Sequence, residues 1–207
     1  MYSYKTIAAP VRSKITVGAC RFFASLSYCE KEDEARSFLE QVKEELTGAT
    51  HHAWAFRLGL GEKMLERCDD AGEPAGTAGP PMLTVLEKED LTNLIVVGTR
   101  YFGGVKLGVG GLIRAYRSCA EAGVNASRIC TRELKETVLL EVPYDYLGPV
   151  VREIEAAGGE TQDFRYGDHV KIVVTLTQRK MDGFHERIAD ASRGKAAITI
   201  AKISNEQ

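Results

Sequence analysis

The 207-residue sequence has no Cys-x-x-Cys pair, no long apolar run and no excess of basic over acidic side chains. Its five cysteines, Cys20, Cys29, Cys68, Cys119 and Cys130, are odd in number and scattered. That excludes a zinc ribbon, supplies no disulfide framework and fits a reducing cytoplasm. A membrane-crossing helix needs about 18 or more consecutive apolar residues, and none occurs. Lys5, Arg12 and Lys14 also interrupt what would be the apolar part of a signal peptide. Lys and Arg number 27 against 29 Asp and Glu, a net charge of −2. A protein that coats nucleic acid by phosphate neutralisation alone needs the opposite balance, so any anion site must be local. Internal repeats and low-complexity segments are absent too, which favours two different domains over a duplication.

What is present places the division near residue 130, giving domains 1–130 and 131–207. Strand-like stretches occupy 14–20 and 22–28, followed by an amphipathic helix from Glu30 to Leu46 whose Glu32, Asp33 and Glu34 suit the helix dipole. HHAWAFRLG, 51–59, alternates as a strand, and 63–68 doubles back on it. A loop, CDDAGEPAGTAGPP, leads to a helix with Pro80 and Pro81 in its first turn, ending near Asp90. NLIVVGTRYF, 93–102, is apolar enough for a strand buried on both faces, and GGVKLGVGG, 103–111, precedes a further helix from Leu112. Residues 127–133 read as a linker. Beyond it the pattern is a strand (134–143), a helix (144–159), a hairpin (160–177), a helix (180–192) and a strand (196–203). This is βαββαβ, the ferredoxin-like plan, and the fold class is α+β.

Two constellations could carry chemistry. From Leu91 to Ala120 the chain has Arg100, Lys106, Arg114 and Arg117 and no Asp or Glu. Gly103, Gly104, Gly108, Gly110 and Gly111 would let backbone amides approach a ligand there, so these nine residues form a candidate anion or RNA site. The P-loop and dinucleotide glycine spacings both fail. The second constellation is the loop acids Asp70 and Glu73 with the His51, His52 pair. Strand alternation lets only one histidine join the acids, and His52 is taken as the candidate partner in catalysis. Otherwise the acids stay solvated or pair with Arg100. Trp54 and Phe56 are expected in the core. No metal site and no cofactor is expected, and the C-terminal half, with lone His169 and His185, offers no nucleophile.

The motifs DAGEPAGTAGPPML, VVGTRYFGGVKLGVGGLIRAYRS and ATHHAWAFRLG resemble the core of the YigZ/Impact family. Where members of that family read Asp-Asp-Gly-Glu-Pro, this chain has Ala71 after Asp70. The resemblance implies an N-terminal domain with the fold of the second domain of ribosomal protein S-five. It also implies a C-terminal domain like the last domain of elongation factor G. Eukaryotic members regulate translation in a stress response through an extra domain, so the implication here is a cytoplasmic, translation-associated protein that binds RNA or a ribosome-associated partner, without a membrane role. The alternative is an enzyme acting on a small phosphorylated or nucleotide ligand, held by the glycine-rich loop and worked on by Asp70 and Glu73.

Overall fold

A computed structural model describes residues 2–200 and divides them into two compact units. One spans Tyr4–Arg132; the other takes residues 133–200 with residues 2 and 3. Both mix helices and strands, as the α+β expectation requires.

The first unit carries β1 (Ser3–Ile7), β2 (Val11–Val17), β3 (Cys20–Tyr28), α1 (Glu32–Glu45), β4 (His51–Leu58), β5 (Leu65–Asp69), α2 (Gly79–Lys88), β6 (Leu94–Tyr101), α3 (Gly108–Ala126) and β7 (Ile129–Glu133). Five strands form an antiparallel sheet in the order β2-β3-β6-β4-β5, while β1 pairs with β7. On one face, Phe22, Leu26, Leu94 and Val96 pack against Met82 and Leu86 of α2 and Tyr116 of α3. On the other, Ala35, Leu39 and Val42 of α1 cover Phe56, Ile95 and Val97. β6 is therefore buried on both sides, which is why its sequence is nearly continuous in apolar residues. Phe22 meets Tyr116 edge to face at 5.2 Å, a contact worth about 1 kcal/mol beyond its buried area.

Gly98 makes that packing possible. A Cβ there would sit 2.6 Å from Met82 Sδ and 3.0 Å from Tyr116 Cδ1. Gly98→Ala is expected to cost about 1–3 kcal/mol through overpacking, read as a lower urea midpoint. An unchanged midpoint would show that Met82 and Tyr116 move aside freely.

The second unit carries β8 (Lys135–Val142), α4 (Leu147–Ala156), β9 (Glu160–Arg165), β10 (Val170–Thr177), α5 (Gln178–Met181), α6 (Phe184–Ala191) and β11 (Ala197–Ile200). The sheet order is β11-β8-β10-β9. Val138 and Leu140 of β8 and Ile172 and Val174 of β10 meet Val150, Ile154, Phe184 and Ile188 from the helices.

Three expectations need correction. The linker at 127–133 is largely strand β7, because its backbone groups find β1 as a partner. The single helix at 180–192 is two, α5 and α6, broken where Gly183 takes a positive φ of 75°. α3 begins at Gly108, so Gly108, Gly110 and Gly111 form its first turn and leave Gly103 and Gly104 in the loop. The last strand runs Ala197–Ile200; positions 201–203 of the expected strand lie outside the described residues.

Candidate functional site

The register of β4 against β6 sorts the candidate residues. His51 lies opposite Arg100, and His52 opposite Thr99. Alternation then turns His51 and Arg100 toward α2 and α3, and His52, Trp54 and Phe56 toward α1. Trp54 stacks beside Phe56 at 5.4 Å, and Phe56 belongs to the core as expected.

Arg100 is 7% exposed at its side chain, and Glu73 only 2%. The arginine Nη1 donates to Glu73 Oε1 at 2.9 Å and Oε2 at 3.0 Å. Tyr116 Oη donates to the same Oε1 at 2.8 Å. Burial first, then the Glu73 carboxylate, pushes the Tyr116 phenol well above the ordinary tyrosine range, so it remains a donor. Nη2 of Arg100 reaches Cys20 Sγ at 3.6 Å, and the rings of Phe22 and Phe102 flank the guanidinium. His51 Nδ1 lies 2.8 Å from the Ala71 carbonyl, which only accepts, so the proton is on Nδ1. Its Nε2 then faces Glu73 Oε2 across 4.0 Å. The positive charge of Arg100 is thus spent inside the molecule, and the cluster ties the 70–79 loop to the sheet and to α3.

Asp70 has a different task. Its carboxylate accepts from the backbone amides of Gly76 at 2.7 Å, Ala78 at 2.8 Å and Gly79 at 2.9 Å. Gly79 opens α2, and Ala78 before it offers no side-chain cap, so Asp70 supplies the missing acceptor from across the loop. Partial burial acts to raise its pKa, but the amides outweigh burial and hold it below the ordinary carboxylate value. At the other end of α2, the buried Arg57 donates to the carbonyls of Leu86 and Leu91, at 3.3 and 2.9 Å.

The candidate catalytic set of Asp70, Glu73 and His52 does not come together. His52 bonds Thr99 Oγ1 at 3.1 Å on the opposite side of the sheet from the Glu73 cluster. Burial, then Lys43, lowers its pKa. His51 is the histidine beside Glu73; the alternation of β4 alone could not say which. Tyr116 and Cys20, neither of them a candidate from sequence, complete the cluster, and no local signal marks them. Among the described residues, no group of three or more His, Cys, Asp or Glu side chains could hold a metal ion.

The remaining cations of the glycine-rich stretch behave otherwise. Lys106, Arg114 and Arg117 are all exposed, and none forms an ion pair among the described residues. Gly103 lets the loop close onto the turn between β2 and β3, since a Cβ there would fall 2.0 Å from the Ala19 carbonyl oxygen. That contact joins two parts of the sequence that lack acids. Residues 1–29, like 91–120, contain no Asp or Glu, and the sheet sets β2 and β3 from the first beside β6 from the second. No helix among the described residues is long and apolar enough to cross a membrane.

Comparison with known proteins agrees with this architecture. The Impact N-terminal domain matches residues 19–124, and a domain of unknown function, DUF1949, matches 140–195. The IMPACT family member YvyE of Bacillus subtilis is 33% identical over 99% of this chain and 94% of its own length. YigZ of Escherichia coli is 34% identical over 96% and 98%. The protein IMPACT of Danio rerio is 35% identical over 45% of this chain and 30% of its own. A crystal structure of a hypothetical protein superposes with a TM-score of 0.77 at 28% identity, covering 99% of this chain and 100% of that one. With both domains matched in order and bacterial relatives aligned almost end to end, this chain belongs to the IMPACT family.

Proposed function

We propose that this chain is a cytoplasmic, translation-associated binding protein that holds RNA phosphates with Lys106, Arg114 and Arg117. The observation that carries the reading is that these three cations are exposed and unpaired among the described residues, on a surface drawn from acid-free segments. The first turn of α3 adds amides without a side-chain cap, and exposed Gly104, Gly108 and Gly110 leave them open to a phosphate oxygen. Arg100, buried against Glu73, is left out of the contact set. The link to translation rests on the family resemblance.

The enzymatic alternative has less behind it. Both acids it needs are already engaged, Asp70 by backbone amides and Glu73 by Arg100 and Tyr116.

Filter binding of a structured RNA at two salt concentrations tests the proposal. Lys106→Ala with Arg114→Ala should weaken binding about tenfold at low salt. It should also reduce the slope of log K against log salt by about 1.8, the loss of two phosphate contacts. Unchanged affinity and slope would remove the reading.

A further inference from the structure

One face of the first unit's sheet is only partly covered. α1 packs over the β4 and β6 part, but among the described residues no helix of this unit packs on that side of β2 and the neighbouring half of β3. The uncovered part carries Arg12 and Lys14 from β2, Arg21 and Phe23 from β3, and Tyr101 from β6. Phe23 and Tyr101 meet edge to face at 5.8 Å and are each partly exposed. Lys14 Nζ stands 5.8 Å above the Phe23 ring, and the Arg21 guanidinium 4.9 Å above that of Tyr101. Each partly exposed ring therefore has an exposed cation over it, Lys14 at Phe23 and Arg21 at Tyr101.

The charge on this face is of one sign. β2, β3 and β6 contain no Asp or Glu, and the carboxylate at its border, Glu45 of α1, is paired with Arg12. Tyr101 leads directly through Phe102 into the 103–107 loop, so the face is continuous in the chain with the cations assigned to phosphate.

We infer that this sheet face is a stacking platform for unpaired bases, which makes single-stranded RNA the preferred ligand of the protein. The inference rests on the RNA reading above and deepens it. Aromatic faces give a base an apolar, sequence-tolerant surface, and neighbouring Lys and Arg neutralise the backbone between stacked bases. A duplex, with its bases already stacked, gains nothing from the rings. Arg21 need not be displaced entirely, because a guanidinium plane can itself stack on a base.

Fluorescence anisotropy with labelled oligouridine and with an RNA duplex, each at two salt concentrations, tests this. The wild-type chain should bind oligouridine more tightly than duplex. Phe23→Leu with Tyr101→Leu keeps apolar bulk but removes both rings, and should weaken oligouridine binding about tenfold or more with little change in salt slope. Lys14→Gln with Arg21→Gln alters only exposed side chains, so it remains informative if the leucine pair fails to fold; it should lower the slope by about 1.4. Tighter duplex binding overturns the platform, as does oligouridine binding that survives both pairs unchanged. In either case the RNA reading stands if Lys106→Ala with Arg114→Ala still weakens binding. If the wild-type chain binds neither RNA at low salt, the RNA reading itself falls and the platform with it. Oligothymidine bound as tightly as oligouridine would overturn the preference for RNA.

Discussion

Arg100→Met is expected to lower the free energy of unfolding of the first unit by about 3–5 kcal/mol, among the largest losses any single side chain here can produce. The reason is the partner it leaves behind. Glu73 is 2% exposed at its side chain, and both of its oxygens accept from Arg100 Nη1. Without the guanidinium, a carboxylate remains in a nearly dry site with one hydrogen bond from Tyr116 and a histidine nitrogen 4.0 Å away. Replacing the charge as well, by Glu73→Gln in the same chain, should recover much of the loss, because a neutral amide costs far less to bury than an unpaired carboxylate. Urea denaturation of the wild type, both single variants and the double variant closes the cycle, and a strongly positive coupling is expected. An exposed pair such as Lys135 with Glu160 sets the contrast: its removal should change stability by less than about 1 kcal/mol. A loss under 1 kcal/mol for Arg100→Met would mean that the pair does not hold the loop.

Asp70→Ala is expected to cost about 2 kcal/mol, since the amides of Gly76 in the loop and of Ala78 and Gly79 at the start of α2 lose an ionised acceptor together. The same carboxylate gives the protein a pH dependence whose sign follows from its shift. Its folded pKa lies below the ordinary value, so folding favours the ionised form. The stabilisation is fully present above the unfolded pKa, near 4, and is lost as pH falls through the lower folded value. Unfolding measured between pH 6 and pH 2 should therefore show the wild type losing stability below about pH 4. Asp70→Asn should start less stable and lose less over that interval. Parallel curves for the two proteins would assign the acid sensitivity to other carboxylates.

Most of the fold is legible in the chain because the signals that specify elements are local. The apolar period of 30–46, the prolines at 80 and 81 and the continuous run before Tyr101 each act within a few residues, and α1, α2 and β6 lie where those signals place them. The failures are equally physical. Residues 127–133 look like a linker because a strand paired with only one neighbour needs little hydrophobic pattern, and its partner β1 lies more than a hundred residues earlier. The glycines at 108, 110 and 111 suggest a loop by propensity, yet tertiary packing of Leu112, Ala115 and Tyr116 draws them into the first turn of α3.

The candidate site divides in the same way. Sequence by itself determined the family, the α+β class and the segregation of acids from the 91–120 stretch, since each is a property of residue order. Which cations face water was decided only by the tertiary structure. Arg100 and Lys106 stand six positions apart in one basic run, but a buried strand turns the first onto Glu73 and a surface loop leaves the second exposed. Charge partners are chosen by distance in space, and Glu73 and Arg100, 27 positions apart, carry no local trace of that choice.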